Sequence, residues 1–349
     1  MKKHILLTTI FASTLLVISG LQINSAHAAT TLKTSTSKVI KTKTNLTVRY
    51  AKKMLANNKN GFATDAAPIF SRSAYPTSGA ADGYSDFLLG LKGNGYKFTG
   101  KQKAFIRKNL VLNSKSDTAT LSKAIVGLKA IGYNPERFRP YGSQKTLNLV
   151  AQLYRSNIDN QTTSALSQVL IATSTGHYKQ PENAKFSRTK LAMTLSALQQ
   201  TNHGWAYDNQ VSNVDTDTTA MAVIALARSK STARQVKTSL VQGQNYLKSR
   251  VATNGAFGYN YLGKTVWNAN STAEAILAYA TKLNTLKYVN HSRSTKTQNT
   301  SPLTALFNYV NPTGSIKGAS SQLYGIGQVN LAIAAYKTAV HHRSVYTIN

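Results

Sequence analysis

The sequence predicts an all-α fold built from alternating pairs of helices. From Leu46 onward, apolar residues recur at the i, i+3/i+4 and i+7 spacing of helices that bury one face. No run shows the alternation of apolar and polar residues that is typical of strands. One unit also occurs twice, because 215–227 reads DTDTTAMAVIALA and 268–280, 53 residues later, reads NANSTAEAILAYA. A spacing near 50 residues is typical of stacked helical units.

The N-terminus, residues 1–28, reads as a secretory signal peptide. Lys2 and Lys3 precede an apolar run from Ile5 to Ile18, and Ala26-His27-Ala28 resembles a cleavage site. No later segment approaches the ~18 apolar residues that a membrane span needs. We therefore expect a secreted, cell-surface protein without a transmembrane segment in its mature chain.

The mature chain is expected to have a basic tail, one helical domain and a short C-terminal tail. Residues 29–45 are rich in Thr, Lys and Ser and lack acids and aromatic residues, which predicts a disordered, solvated segment. Residues 46–340 form the helical domain, with roughly ten to twelve helices, and 341–349 form the tail. Apolar periodicity places helices at 48–55, 84–91, 121–131, 147–154, 165–172, 191–198, 221–227, 241–247, 273–280, 303–310 and 329–340.

The helices of the repeat follow glycine-aromatic turns and are rich in small residues. His203-Gly204-Trp205 precedes the first copy and Asn254-Gly255-Ala256-Phe257 precedes the second. Alanines such as Ala220, Ala222 and Ala225 permit close helix packing. A closed ring of inner helices requires such packing, although an open solenoid satisfies the same pattern.

The charge of the chain predicts an anionic partner. There are 42 Lys and Arg residues against 11 Asp and Glu residues, a formal net charge of +31. For an exported protein this charge favours an anionic cell-wall polymer or an anionic membrane surface. The motifs of nucleic-acid-binding domains are missing, so we expect no nucleic acid partner. With no cysteine and no metal-ligand spacing among histidines and acids, we expect neither a metal nor a cofactor.

The repeat resembles the α/α-toroid superfamily of squalene–hopene cyclases, protein prenyltransferase β subunits and cobalamin carriers. Gln200-Thr-Asn-His-Gly204-Trp205 is similar to the QW repeat of that superfamily. Asp215-Thr-Asp217-Thr-Thr-Ala220 is similar to the cyclase acid motif D-x-D-D-T-A, with Thr218 in place of the third acid. The resemblance implies an α/α toroid in which Asp217 is the catalytic acid and Asp215 its partner.

Helix capping is the competing interpretation of Asp215 and Asp217. Aspartate and asparagine are both favoured at the start of a helix, where the side chain accepts the free N–H groups. In the second copy Asn268 and Asn270 replace the two aspartates, which preserves capping and removes a proton donor. We therefore expect helix caps, with catalysis as the alternative.

Five further residues are candidates for ligand binding. Glu274 lies in the first turn of an inner helix, where it is either stabilised by the helix dipole or lines a pocket. The aromatic residues near the two turns are either wedges between helix pairs or a stacking surface for a planar or sugar-like ligand. They are Trp205, Tyr207, Tyr259 and Trp267.

These observations predict an envelope-associated toroid that is a non-catalytic binding protein retained by its charge. Two alternatives remain open. One is a cyclase-like or carbohydrate-active enzyme that uses Asp217. The other is an extracellular carrier of a planar ligand such as a corrinoid, or of another small molecule.

Overall fold

The computed structural model describes residues 32–56, 84–110, 112, 114, 116–261, 264–291 and 298–348. The predicted signal peptide lies outside this part of the chain. Over the described residues the protein has thirteen α-helices and four short strands. The helices are α1 (Ser37–Ala56), α2 (Tyr84–Gly93), α3 (Gly100–Asn109), α4 (Thr118–Ala130), α5 (Leu149–Tyr154), α6 (Thr163–Ala172), α7 (Arg188–Ala197), α8 (Thr216–Ser229), α9 (Arg234–Arg250), α10 (Ala269–Tyr279), α11 (Leu283–Leu286), α12 (Pro302–Asn308) and α13 (Gln322–Ala339).

Six inner helices form a closed ring. Helices α2, α4, α6, α8, α10 and α13 pack in this cyclic order, and α13 packs against α2 to close the ring. Most residues of α4, α10 and α13 are buried, as expected for helices with neighbours on both sides of the ring. Each inner helix is preceded along the chain by an outer helix: α1, α3, α5, α7, α9 and α12. The predicted all-α toroid is confirmed, and the open solenoid is not what forms.

The ring closes through a backbone-to-backbone approach of α2 and α13. A Cβ atom placed on Gly90 would lie 2.7 Å from the backbone nitrogen of Leu331, and one on Gly327 would lie 3.0 Å from that of Phe87. Only glycine allows this approach without displacement of one helix.

Two antiparallel hairpins precede the repeated inner helices, where we expected irregular loops. Strands β1 (Trp205–Ala206) and β2 (Val214–Asp215) pair before α8, and β3 (Phe257–Tyr261) and β4 (Lys264–Asn268) pair before α10. Strands β1 and β2 have two residues each, too few for a visible alternation of apolar and polar residues, and in β3 the alternation covers only five residues. The hairpins are held alike, because the N–H of Trp205 donates to Thr219 Oγ1 (2.9 Å) and that of Phe257 donates to Thr272 Oγ1 (3.0 Å).

The prediction of a disordered tail over residues 29–45 is wrong for its second half. Helix α1 begins at Ser37, because Thr44 and Thr47 face the ring and are buried. The Thr47 hydroxyl donates to Asn330 Oδ1 of α13 over 2.7 Å. The threonine face of α1 packs against the ring, and the composition of residues 29–45 alone does not reveal this contact.

The prediction of a free C-terminal tail over residues 341–349 also differs from the structure. Val345, Tyr346 and Ile348 are buried, because the segment folds under one end of the ring. The Arg228 guanidinium of α8 holds it there by donating to Thr347 Oγ1 (3.1 Å) and to the Tyr346 carbonyl (3.4 Å). None of the described helices is long and apolar enough to cross a membrane.

Candidate functional site

A cavity of about 280 Å³ lies among the inner helices. All six inner helices contribute side chains to it, and Tyr346 of the C-terminal segment contributes another. Apolar and polar groups are mixed in its wall: Ser85, Asp86, Ser122, Lys123, Val126, Ser164, Gln168, Ile171, Met221, Ile224, Glu274, Tyr324, Gln328 and Tyr346. A concave site with a few convergent polar groups is typical of small-molecule binding.

Asp215 caps α8. Its carboxylate accepts hydrogen bonds from the Thr218 N–H (2.7 Å) and from the Thr218 hydroxyl (2.8 Å). Asn268 caps α10 in the same way, accepting from the Ser271 N–H over 2.8 Å. The capping interpretation therefore holds for Asp215 and for its counterpart in the second copy.

Asp217 has a different environment. It lies within the first turn of α8, one and two turns before Met221 and Ile224 on the same helix face, and these two residues line the cavity. One of its carboxylate oxygens, Oδ1, is buried without a hydrogen-bond partner. The pKa of the Asp217 carboxyl is raised to about 6, chiefly by burial; a hydrogen bond from the Ser271 side chain lowers the pKa, and the nearby charge of Asp215 raises it. Asp217 is thus a half-buried acid beside the cavity rather than a cap.

Glu274 lies in the cavity wall on α10. Burial raises its pKa well above the ordinary value, and the charges of Asp86 and Asp217 raise it further. Gln328 of α13 donates an amide hydrogen bond to Glu274 Oε1 over 2.9 Å. A carboxyl group in this environment is held in its neutral form. Of the two interpretations of Glu274, the pocket-lining one describes its position.

Asp86 and Lys123 add two ionisable groups to the cavity wall. Burial lowers the pKa of the Lys123 ammonium to about 8. The Glu274 carboxyl with its raised pKa and the Lys123 amine with its lowered one therefore share a single cavity wall. Such perturbed groups cluster at functional sites.

Three buried acceptor oxygens near the cavity lack a protein partner. They are Asp217 Oδ1, Gln168 Oε1 and Gln328 Oε1, and both glutamines line the cavity. A buried acceptor without a partner costs free energy, so such atoms are usually satisfied by a ligand or by water. The cavity therefore offers acceptors to a bound molecule.

The four aromatic candidates lie outside this cavity. Trp205 is completely buried and donates from Nε1 to the Leu195 carbonyl over 2.8 Å. It is a wedge between helices, so the ligand-binding prediction is wrong for it. Tyr207, Tyr259 and Trp267 are 56%, 39% and 43% exposed in and next to the hairpins, and their role in binding stays a prediction.

Sequence reasoning missed most of the cavity wall. Lys123, Gln168, Gln328 and Tyr346 are single polar or aromatic residues in four separate segments, without a shared motif. The available signal was a polar residue in an otherwise small and apolar inner helix, as at Gln328. Among the described residues no group of three acidic or histidine side chains is placed to hold a metal ion.

No protein-family model matches the chain, and no curated protein is significantly similar to it. Solved structures are similar in fold. One is a variant of the type II terpene cyclase MstE from Scytonema in complex with its substrate geranylgeranyl dihydroxybenzoate. It is 12% identical in sequence, and the match has a TM-score of 0.49 and covers 86% of this chain and 99% of that one. A second MstE variant in the apo state has the same identity and TM-score over 87% and 99%.

The main functional prediction, a non-catalytic binding protein, is corrected to the enzyme alternative. The cavity wall holds a carboxyl group with a raised pKa and an amine with a lowered one, and perturbed groups of this kind cluster at catalytic sites. Both of the solved structures above are of type II terpene cyclases.

Proposed function

We propose that the protein is a cyclase-like enzyme in which Asp217 is the proton donor to a small substrate in the ring cavity. The observation that carries this proposal is the half-buried Asp217 carboxyl, which lies on the helix face that lines the cavity through Met221 and Ile224 and has one buried, unpartnered oxygen and a pKa near 6. A general acid is most effective when its pKa lies near the working pH. Asp215, two residues earlier, is engaged in capping and has no such role.

The proposed reaction needs no oxidant, reductant or co-reactant. The Asp217 carboxyl transfers its proton to one carbon of a double bond, and the positive charge develops on the neighbouring carbon. Electrons of a second double bond close the ring. Loss of a proton from the product to the Asp217 carboxylate restores the acid. Glu274, neutral through its burial, adds no second negative charge that would raise the energy of proton loss from Asp217.

The cavity favours a short substrate. Its volume of about 280 Å³ is at the lower limit of the roughly 300–1,000 Å³ typical of small-molecule sites. Val126, Ile171 and Ile224 provide apolar surface, and Tyr324 and Tyr346 provide aromatic rings. Aromatic faces stabilise a developing positive charge. We therefore expect a short isoprenoid chain rather than a geranylgeranyl chain.

The test is turnover of geranyl- and farnesyl-substituted aromatic compounds, with products identified by mass spectrometry. We expect a cyclised isomer from the wild-type protein and a rate that falls as the pH rises through about 6. Asp217→Asn should lose at least about 100-fold in rate, the lower end of general-acid contributions. Asp215→Asn is the matched control, because asparagine caps the equivalent helix at Asn268, and it should keep its activity. Equal rates in both variants would remove Asp217 from the reaction.

We further propose that the protein is secreted and held at the cell surface by its charge. The signal-like residues 1–28 and the net charge of +31 support this location.

A further inference from the structure

Two adjoining grooves lie at the end of the ring where the inner helices finish. The first, of about 650 Å³, is lined by residues from the ends of α2, α8, α10 and α13 and by the C-terminal segment. The second, of about 600 Å³, is lined by α1, the end of α2 and the end of α13. Gly93, Thr338 and Arg343 line both grooves, so the two are direct neighbours, and together they are called the double groove.

The lining of this double groove is basic. Lys92, Lys230 and Arg343 are exposed in the first part, and Lys41 is exposed in the second. His341 and His342 also line it, and none of the acidic residues that the structure describes lines either part. Concave surfaces of one charge sign concentrate ligands of the opposite sign.

Helix-end electrostatics account for only part of this charge. Cations near a helix C-terminus are stabilised by the helix dipole, which suits Lys92 and Lys230. Arg343 lies beyond α13, in a segment that is anchored by other contacts: Arg228 donates to Thr347, and the Arg343 N–H donates to the Thr338 carbonyl over 3.0 Å. The Arg343 side chain itself remains exposed.

Two residues of the double groove also have a backbone conformation that glycine adopts more readily than other residues. Lys230 and His342 have φ values of 54° and 58°, in the left-handed region that favours glycine. Both side chains line the first part of the double groove. Backbone strain of this kind is commonly retained at binding sites.

We infer that the double groove binds a linear polyanion with repeating phosphodiester groups. Lysine and arginine supply the charge, and the hydroxyl and amide groups of Ser37, Asn45 and Ser344, which line the double groove, are of the kinds that donate hydrogen bonds to phosphate oxygens. Two neighbouring basic grooves along one end of the ring suit an extended chain that contacts both, whereas a flat bilayer surface enters neither. The site is separate from the ring cavity and does not depend on Asp217.

The test is binding of a fluorescein-labelled linear glycerol phosphate oligomer, followed by fluorescence anisotropy at several salt concentrations. The groove variant combines Lys92→Gln, Lys230→Gln and Arg343→Gln. The control variant combines Lys101→Gln, Lys145→Gln and Lys190→Gln, three exposed lysines outside both grooves, and has the same net charge. Circular dichroism confirms that both variants are folded.

We expect the groove variant to bind at least about tenfold more weakly and with a smaller salt dependence, as loss of phosphate contacts requires. The control should stay within about twofold of the wild type, since only long-range charge changes. Equal loss in both variants would overturn the inference, because net charge alone would then explain binding. Two competition results would overturn the inference as well. Displacement of the oligomer by monomeric glycerol phosphate at equal phosphate concentration would indicate a site for a single phosphate. Displacement by anionic phospholipid vesicles would indicate a site for a membrane surface.

Discussion

Asp215 and Asp217 show how two residues in one motif acquire different chemistry. The first precedes α8 and accepts hydrogen bonds at the helix start. Asp217 is the second residue of the helix, where its carboxyl receives a hydrogen bond from Ser271 of the neighbouring α10 and keeps one unpartnered oxygen. The sequence repeat could not separate these roles, because asparagine replaces both residues in the second copy.

Asp217→Asn should stabilise the fold at high pH. The carboxyl pKa is raised from 3.8 to about 6, so between these values the folded protein binds the proton more tightly than the unfolded chain. Stability is therefore lost as the pH rises towards 6, and above it the buried charge costs about 3 kcal/mol. Urea unfolding at pH 8 and pH 4 checks this expectation. Asparagine should add up to about 3 kcal/mol at pH 8 and little at pH 4.

The control for this prediction is Asp215→Asn, because asparagine and aspartate cap equally well. Burial also raises the pKa of Asp215, so this variant should gain stability at pH 8 too, but less than Asp217→Asn. A gain for Asp217→Asn that is the same at both pH values would show that the proton is not its cause.

At the scale of elements, the predicted helices all fall on observed ones, and two helices were missed, α3 and the four-residue α11. Helix α3 contains few apolar residues, Phe105 and Ile106 among basic ones, so it lacks the periodicity that reveals the others. Its capping box, Thr99 with Gln102, is the signal that could have found it. The two hairpins escaped detection for the same physical reason, since short strands carry too little pattern.

Ring closure between α2 and α13 gives a prediction at Gly90. Gly90→Ala places a Cβ atom 2.7 Å from the Leu331 nitrogen, and the helices must separate to admit it. We expect a loss of about 1–3 kcal/mol in the free energy of unfolding, as for other overpacked cores. Gly100→Ala is the control, because nothing lies within 4 Å of its Cβ position. Thermal unfolding compares the two, and a fully stable Gly90→Ala protein would mean that the helices are not in close contact.

For the whole molecule, the sequence predicted the architecture better than the site. Helical periodicity and small residues predict the ring, because helices that bury one face have a regular pattern of apolar and small residues in the sequence. The cavity wall brings together residues as distant as Asp86, Gln168 and Tyr346, and no local pattern records that proximity. The sequence therefore indicated Asp217 and Glu274 while the other polar groups beside them stayed hidden.

The net charge of +31 gives a prediction for the intact protein. If charge holds it at the cell surface, washing cells with buffer of high ionic strength should release it, since salt of about 1 M reduces the screening length to about 3 Å. An immunoblot of the wash and the cell pellet measures the release. Retention in the pellet at high salt would show that another attachment holds the protein.

The titration of the Asp217 carboxyl tests the central claim most directly. Carbon-13 NMR of protein labelled at aspartate measures the chemical shift of this carboxyl group as the pH changes. The Asp217→Asn variant identifies its resonance. We predict a midpoint at about 6, as burial beside the cavity requires. A midpoint near the ordinary value of 3.8 would contradict the account, because Asp217 would then be a solvated carboxylate and no proton donor.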